Sequence, residues 1–385
     1  MKKHSIRKIW LLAAVLSMLL MLLGGCGNSA TPSPSDTDRT TSEASTSIDD
    51  TTATEESTTT AAETTSSAKS ESTAGTTKAA ATTTKKQSTQ TNKTTSSTSA
   101  KTTETASLDI DVYNLSNVQG KLGVWFFNMP HSTTHTGDST LIRTPGGKTM
   151  LIDTGHPEGG KMVRGYLEKM GITKIDILVI THMHIDHVGG AYEIVSKFNI
   201  GKVYGSPLKD YNTSNVRNFK NALASKNLTY NVLKTGDTFE LDKNVKFEAL
   251  WPRADFNVPD GVTPENDGGF TNNSSVVLRM QYGSRTFLFT GDIEMEVEEE
   301  LVNTMPEKLK CDVLKIPHHG ASTSSTSAFI RATGAKYGAI MVYAMNDINV
   351  INRYKALGTK VHLTSVDGTA LFLTDGQSLQ YAKSK

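Results

Sequence analysis

Residues 175–190 constrain this chain most. Ile175-Asp176-Ile177-Leu178-Val179-Ile180-Thr181 is an apolar, β-branched run that reads as a buried strand. It passes straight into His182-Met183-His184-Ile185-Asp186-His187-Val188-Gly189-Gly190. Four potential metal ligands, His182, His184, Asp186 and His187, therefore fall within six residues at the C-terminal end of a strand. A loop braced by a rigid strand is where a precise ligand set is best held. His182 and His184 alternate, so in extended backbone their rings share one face and can grip one ion. Asp186 and His187 follow as the chain turns into a helix and can point to a second. Imidazole with carboxylate suits zinc, and also manganese or iron.

The rest of the chain divides sharply by composition. Residues 27 to about 107 are Thr, Ser and Ala with scattered Lys and Glu, and almost no large apolar side chains. Such a stretch cannot bury enough surface to offset the entropy of ordering it, so residues 26–107 are expected to be a disordered tether. Residues 108–385 carry recurrent apolar runs between Gly, Asn and Asp turns and are long enough for one sizeable core. Lys plus Arg equal Asp plus Glu there. Bulk charge thus gives no support for strong nucleic-acid binding.

β-Branched and aromatic runs bounded by turn residues predict strands at Leu122–Phe127, Ser139–Thr144, Thr149–Ile152, Asp176–Thr181, Lys202–Tyr204, Val245–Trp251, Ser275–Tyr282, Arg285–Thr290, Val313–Pro317, Tyr337–Val342, Lys360–Leu363 and Ala370–Thr374. Helical patterns lie at Met162–Met170, Ala191–Lys197, Val216–Lys226, Glu294–Asn303, Ser327–Thr333 and Ile348–Leu357. Hairpins mixed with helices in both halves imply sheets covered by helices, an α/β sandwich.

The N-terminus has a basic start (Lys2, Lys3, Arg7, Lys8), a short apolar run from Ile9 to Leu23, and then Gly24-Gly25-Cys26. That is the layout of a secretory signal over residues 1–25, too short for a spanning helix. Leu23-Gly24-Gly25-Cys26 resembles a bacterial lipobox, which implies cleavage before Cys26 and lipid attachment to its sulfur. The expected setting is the outer face of the cell membrane, with the lipid bilayer as a partner through Cys26. The only other cysteine, Cys311, sits in an apolar run and is expected to be a buried small hydrophobe.

The segment Thr181 to Gly190 resembles the defining motif of the metallo-β-lactamase superfamily. Other pieces follow in that superfamily's order. Met150-Leu151-Ile152-Asp153-Thr154-Gly155 resembles its first motif, Phe287-Leu288-Phe289-Thr290-Gly291-Asp292 its fourth, and Leu314-Lys315-Ile316-Pro317-His318-His319-Gly320 its fifth. Over residues 120–381 the chain is similar to the secreted domain of ComEC-type DNA-uptake proteins. Gly137-Asp138-Ser139 before Leu141-Ile142-Arg143-Thr144-Pro145-Gly146-Gly147, Leu250-Trp251-Pro252, Asn272-Asn273-Ser274-Ser275-Val276-Val277-Leu278 and Pro317-His318-His319-Gly320-Ala321-Ser322 carry that likeness. Cell-wall phosphorylcholine esterases share the broader fold.

The resemblance implies a metallo-β-lactamase-type αββα sandwich holding two divalent ions, zinc first and manganese second. It implies His182 and His184 at one ion and Asp186, His187 and Asp292 at the other, with Asp292 bridging and Asp186 also counted in the catalytic machinery. The adjacent histidines leave two assignments open: His318 as ligand with His319 as proton donor, or the reverse. Asp153 is expected to hold His182 or His187 by hydrogen bonds. No histidine lies between His187 and His318, where the superfamily's third motif places one. Asn272, Asn273 or Asp267 are the candidates to approach that gap. His131, His135 and His156 are read as loop residues near the cleft, His362 and Trp251 as structural, and Asp237 as a turn residue. The implied activity is hydrolysis of a phosphodiester, nucleic acid or cell-wall phosphoester, by metal-activated hydroxide. The alternatives are hydrolysis of a non-phosphate ester or lactone, and a non-catalytic metal-stabilised binding module.

Overall fold

Strand β1, Leu122–Phe126, serves two cores at once. Leu122, Val124 and Phe126 point to one face and Trp125, with Phe127 beyond the strand, to the other. That period-two alternation with both faces buried is the signature of a strand inside a layered domain. The computed structural model describes residues 106–385 apart from 131–136, 208–210, 258, 260, 262–265 and 343. The signal peptide, Cys26, nearly all of the tether, His131 and His135 lie outside the described residues.

The remaining strands are β2 (Thr140–Arg143), β3 (Thr149–Ile152), β4 (Lys174–Ile180), β5 (Asn199–Gly205), β6 (Tyr230–Val232), β7 (Thr238–Asp242), β8 (Val245–Trp251), β9 (Val277–Tyr282), β10 (Arg285–Phe289), β11 (Val313–Lys315), β12 (Tyr337–Ile340), β13 (Lys360–Leu363), β14 (Ala370–Thr374) and β15 (Leu379–Lys383). One sheet has the order β15-β14-β1-β2-β3-β4-β5-β6 and the other β13-β12-β11-β10-β9-β8-β7. In the first, pairing is antiparallel from β15 to β3 and parallel from β3 to β6. In the second it is antiparallel from β7 to β10 and parallel from β10 to β13.

Parallel neighbours need crossovers, and helices provide them. Pro157–Lys169, Ala191–Lys197 and Ser214–Ser225 follow β3, β4 and β5; Met295–Thr304, Ser327–Thr333 and Ile348–Ala356 follow β10, β11 and β12. Three apolar clusters result. The middle one lies between the sheets and includes Phe126, Ile142, Val179, Phe247, Met280, Phe289 and Phe372. The outer two join each sheet to its helices, through residues such as Val163, Leu178 and Ile194 on one side and Leu301, Leu314 and Ile330 on the other. The fold is therefore the four-layer αββα sandwich. No helix among the described residues is long and apolar enough to cross a membrane.

This topology sends the C-terminal ends of β3, β4, β10 and β11 to one rim. Two glycines let the β4 loop lie there. A Cβ on Gly190 would meet the Thr154 carbonyl oxygen at 2.3 Å and Gly160 Cα at 2.6 Å, and one on Gly189 would meet the Ile185 carbonyl at 2.2 Å. All are backbone atoms and cannot move aside alone. Overpacking of this kind costs about 1–3 kcal/mol. Gly190→Ala is expected to lower stability by about that amount, read as a fall in the urea midpoint at unchanged slope; an unchanged midpoint would contradict this packing.

Candidate metal centre

The rim is organised first by Asp153, the residue after β3. Its backbone is left-handed, with φ 59°, a region that costs a non-glycine residue about 1–3 kcal/mol. The turn aims its carboxylate across to the end of β4. Oδ1 accepts from Thr181 N at 2.7 Å, and Oδ2 from Thr181 Oγ1 at 2.7 Å and His187 Nδ1 at 2.8 Å. His187 is thereby fixed as the tautomer that leaves Nε2 facing the rim.

Nε2 of His187 lies 3.1 Å from Asp292 Oδ2 and 3.8 Å from Asp186 Oδ2. Nε2 of His319 lies 3.0 Å from Asp186 Oδ2 and 3.1 Å from Asp292 Oδ2. The donor atoms of Asp186, His187, Asp292 and His319 all fall within 4.8 Å of one another. With slight side-chain adjustment they can share one ion with bonds of about 2.0–2.2 Å. Charge supports the fit. Burial opposes a proton on His187, but Asp292, Asp153 and Asp186 outweigh it and hold the imidazole well above its ordinary value. His319 is raised in the same way, chiefly by Asp292 and Asp138 against burial. Burial likewise penalises the Asp292 carboxylate, yet His319, Lys315 and His187 keep it well below its usual range. A cluster this rich in buried carboxylate demands positive charge, and a divalent cation can supply it.

His182 and His184 stand beside the cluster as a pair, Nε2 of the first 3.1 Å from Nδ1 of the second. Nδ1 of His182 faces Thr181 Oγ1 and Ser275 Oγ, each at 3.2 Å, and Ser275 Oγ accepts from Asp292 N at 3.0 Å. Burial first, then the neighbouring imidazoles His187 and His184, push His182 well below its ordinary value, and burial also lowers His184. Both are thus disfavoured as cations, which suits them to ligation.

The two fifth-motif histidines part company. Each has left-handed backbone, φ 48° at His318 and 51° at His319. His319 turns into the cluster, with Nδ1 3.0 Å from the Met341 carbonyl oxygen. His318, the residue put among the ligands in one of the two assignments, turns outward. Its Nδ1 is 2.9 Å from Thr323 Oγ1 and 3.4 Å from Glu294 Oε1, and its Nε2 is 3.4 Å from Asn272 Nδ2.

The three candidates for the missing histidine also separate. Asn272 is buried; its Nδ2 donates to Glu294 Oε1 at 2.9 Å, and its side chain interacts with His184. Asn273 is turned away, its Oδ1 accepting from Glu294 N at 2.8 Å. Asp267 caps the helix Gly268–Asn273 by accepting from Phe270 N at 2.7 Å. Trp251 packs in the core and donates to the Asn273 carbonyl. His362 lies among Tyr337, Phe372 and Tyr381, away from the rim. His156 occupies the N-cap position of Pro157–Lys169, Asp237 closes its turn by accepting from Lys234 N, and Cys311 is buried.

Two buried site residues had no role in the sequence reading. Lys315, at the end of β11, donates to Asp292 Oδ1 at 2.8 Å and the Gly291 carbonyl at 2.7 Å. Its Nζ also reaches Asp138 Oδ2 at 2.5 Å, and Asp138 Oδ1 is 3.1 Å from His319 Nδ1. The Asp138 contacts are ion pairs without aligned hydrogen-bond geometry, which attraction between charges does not require. The available signal was Lys315 itself, a charge inside the apolar run Val313 to Ile316.

A family model described as the metallo-beta-lactamase superfamily matches residues 132–343. The chain belongs to the metallo-beta-lactamase superfamily. It is 32% identical over 226 residues to ComE operon protein 3 of Bacillus subtilis, covering 53% of this chain and 27% of that protein. It is 28% identical over 242 residues to competence protein ComA of Neisseria gonorrhoeae, covering 61% and 30%. The chain thus spans under a third of the length of these two relatives. Among solved structures it is similar to the metallo-beta-lactamase fold protein YhfI from Bacillus subtilis, at 13% identity and a TM-score of 0.42, over 66% of this chain and 100% of that one. Membership makes this a protein of the superfamily's metal-dependent hydrolase type, with a His and Asp cluster compatible with a divalent ion.

The four-donor cluster is expected to hold its ion more tightly than the His182 and His184 pair. Metal per chain after mild dialysis, measured by mass spectrometry, is the check. His187→Ala and Asp292→Ala should strip the retained ion, whereas His182→Ala should keep it; the reverse order would place the tight site at His182.

Proposed function

We propose that this protein is an exported, lipid-anchored hydrolase that cleaves a phosphodiester, in nucleic acid or a cell-wall phosphoester. The observation that carries the reading is the convergence of Asp186, His187, Asp292 and His319 at one rim with the His182 and His184 pair beside them. The ComEC-type resemblance puts a phosphodiester ahead of a carboxylic ester or lactone. Anchoring through Cys26, with residues 26–107 as tether, rests on the signal layout and the Thr- and Ser-rich composition.

Asp186, His187, Asp292 and His319 would hold one ion, and His182 and His184 would contribute to a second. Zinc, or manganese as the alternative, lowers the pKa of water toward neutrality and polarises a phosphoryl oxygen when bound. The protein's share is orientation and proton movement. Asp153 presents Nε2 of His187, and the Met341 carbonyl, accepting from Nδ1, presents Nε2 of His319. His318, tethered by Thr323 and beside Glu294, is about a quarter exposed and lies outside the donor cluster. Its Nε2 would protonate the leaving oxygen, the role the open assignment gave to whichever histidine is not a ligand.

Bis-p-nitrophenyl phosphate, p-nitrophenyl phosphorylcholine and single-stranded DNA, assayed in parallel on the metal-loaded protein, test this. Turnover of a phosphodiester that stops on chelation and returns with zinc or manganese is the expected result. Loaded protein that cleaves only a carboxylic ester or lactone overturns the phosphodiester reading. His318→Gln is expected to lower kcat by about 10²–10⁴-fold with KM and bound metal little changed; loss of metal would make His318 a ligand instead.

Cys26→Ala should move the protein from the membrane to the soluble fraction with its catalytic constants unchanged. Unaltered partitioning into the detergent phase would refute lipidation at that residue.

A further inference from the structure

Lys315 is 3% exposed and lies between two carboxylates that are each 2% exposed. A lysine so deeply buried is costly unless its charge is matched. Here its Nζ hydrogen-bonds Asp292 Oδ1 and the Gly291 carbonyl and touches Asp138 Oδ2. The partners are not equivalent. Asp292 turns its other oxygen, Oδ2, to His187 and His319 at 3.1 Å each. The side chain of Asp138 meets the donor cluster at the back of His319, at Nδ1, and its backbone N–H donates to the Asp186 carbonyl at 3.1 Å. Lys315 therefore restrains one oxygen of a donor carboxylate, and Asp138 stands behind a donor imidazole.

These positions give the two charges opposite effects on any cation in the cluster. The ammonium of Lys315 repels it and keeps Asp292 to a single free oxygen. The carboxylate of Asp138 attracts it and, next to the Nδ1–H of His319, strengthens Nε2 as a donor. We propose that Lys315 and Asp138 are positioning residues that set how tightly the Asp186, His187, Asp292 and His319 cluster holds a divalent cation, the lysine loosening its grip and the aspartate tightening it. This rests on the metal assignment above. An ion pair that served only the packing would behave differently: breaking it from either side would weaken the site in the same direction.

The test is zinc affinity of the full chain, by competition with a chromophoric chelator at fixed pH, with circular dichroism to verify folding. Lys315→Gln keeps a hydrogen-bond donor and removes the charge; Asp138→Asn keeps the shape and removes the other charge. Outer partners of this kind are worth about 10–100-fold in metal affinity. Lys315→Gln is expected to lower the zinc dissociation constant by about tenfold and Asp138→Asn to raise it by about tenfold. Because the two side chains touch, the double variant reads their coupling rather than a simple sum of the two shifts. Shifts of the same sign, or none, in a wild-type background that binds zinc would overturn the proposal while leaving the metal assignment intact. Wild-type protein that binds no zinc would instead fail the assignment. Failure of both single variants to fold would make the pair a structural element and overturn the proposal as well.

Discussion

The site depends on one carboxylate that touches no candidate ion. Asp153 ties the end of β3 to the end of β4 through both hydrogens that Thr181 offers, and holds His187 by Nδ1. Its left-handed backbone is tolerable only because the surrounding loops are bonded to one another. Thr154 N donates to the His187 carbonyl, Gly155 N to the Asp138 carbonyl, and Gly190 N to the Gly155 carbonyl, each at 2.9 Å. The β3 turn, the β4 loop and the segment before β2 therefore form one hydrogen-bonded body. Rotating His187 out of place would require breaking contacts in all three.

The second sheet brings its donors to the same rim under a different strain. Two consecutive left-handed residues, His318 and His319, are needed to send one ring into the cluster and the other out of it. The loop that follows is held by a buried carboxylate. Glu298 accepts from Ser325 N at 2.5 Å and Thr326 N at 2.7 Å, while Arg353 donates to the Ser324 and Ser325 carbonyls. Burial raises Glu298 above its ordinary value despite these donors. Helices Met295–Thr304 and Ile348–Ala356 supply Glu298 and Arg353, and both pack into the core beneath the second sheet. The apolar burial of that layer thus offsets the strain at the histidines.

Much of this was legible beforehand because buried strands announce themselves. The twelve expected strands correspond to β1–β5 and β8–β14, within a few residues at their ends. β6, β7 and β15 escaped notice because they lie on or near the sheet edges and are partly exposed, so no sustained apolar run marks them. The short helices Ile185–Val188 and Gly268–Asn273 hold less than two turns of pattern. In the site, ligand types and order could be read, but not which way two adjacent histidines turn. That choice lies in backbone dihedrals imposed by the Gly320–Thr326 loop. Nor does the sequence pair Asp138 with Lys315, residues 177 positions apart in number, since their meeting depends on β2 starting and β11 ending at one rim.

The missing third-motif histidine leaves the two halves of the site chemically unequal before any ion arrives. Burial, the largest influence at both, disfavours a proton on the His182 and His184 rings. The surrounding carboxylates outweigh burial and shift His187 and His319 the other way, upward. An imidazole ligates through a nitrogen free of its proton, so a cation in the four-donor cluster competes with protons more than one at His182 and His184 does. The stronger donor set is therefore also the one whose filling is opposed by acid. The carboxylates decide the balance, since the negative charge that retains the protons also attracts the dication, with twice the charge concentrated at one point. The same carboxylates that favour protons on the two imidazoles would attract a divalent cation. Asp153 and the Met341 carbonyl keep both rings in the orientation that serves either state.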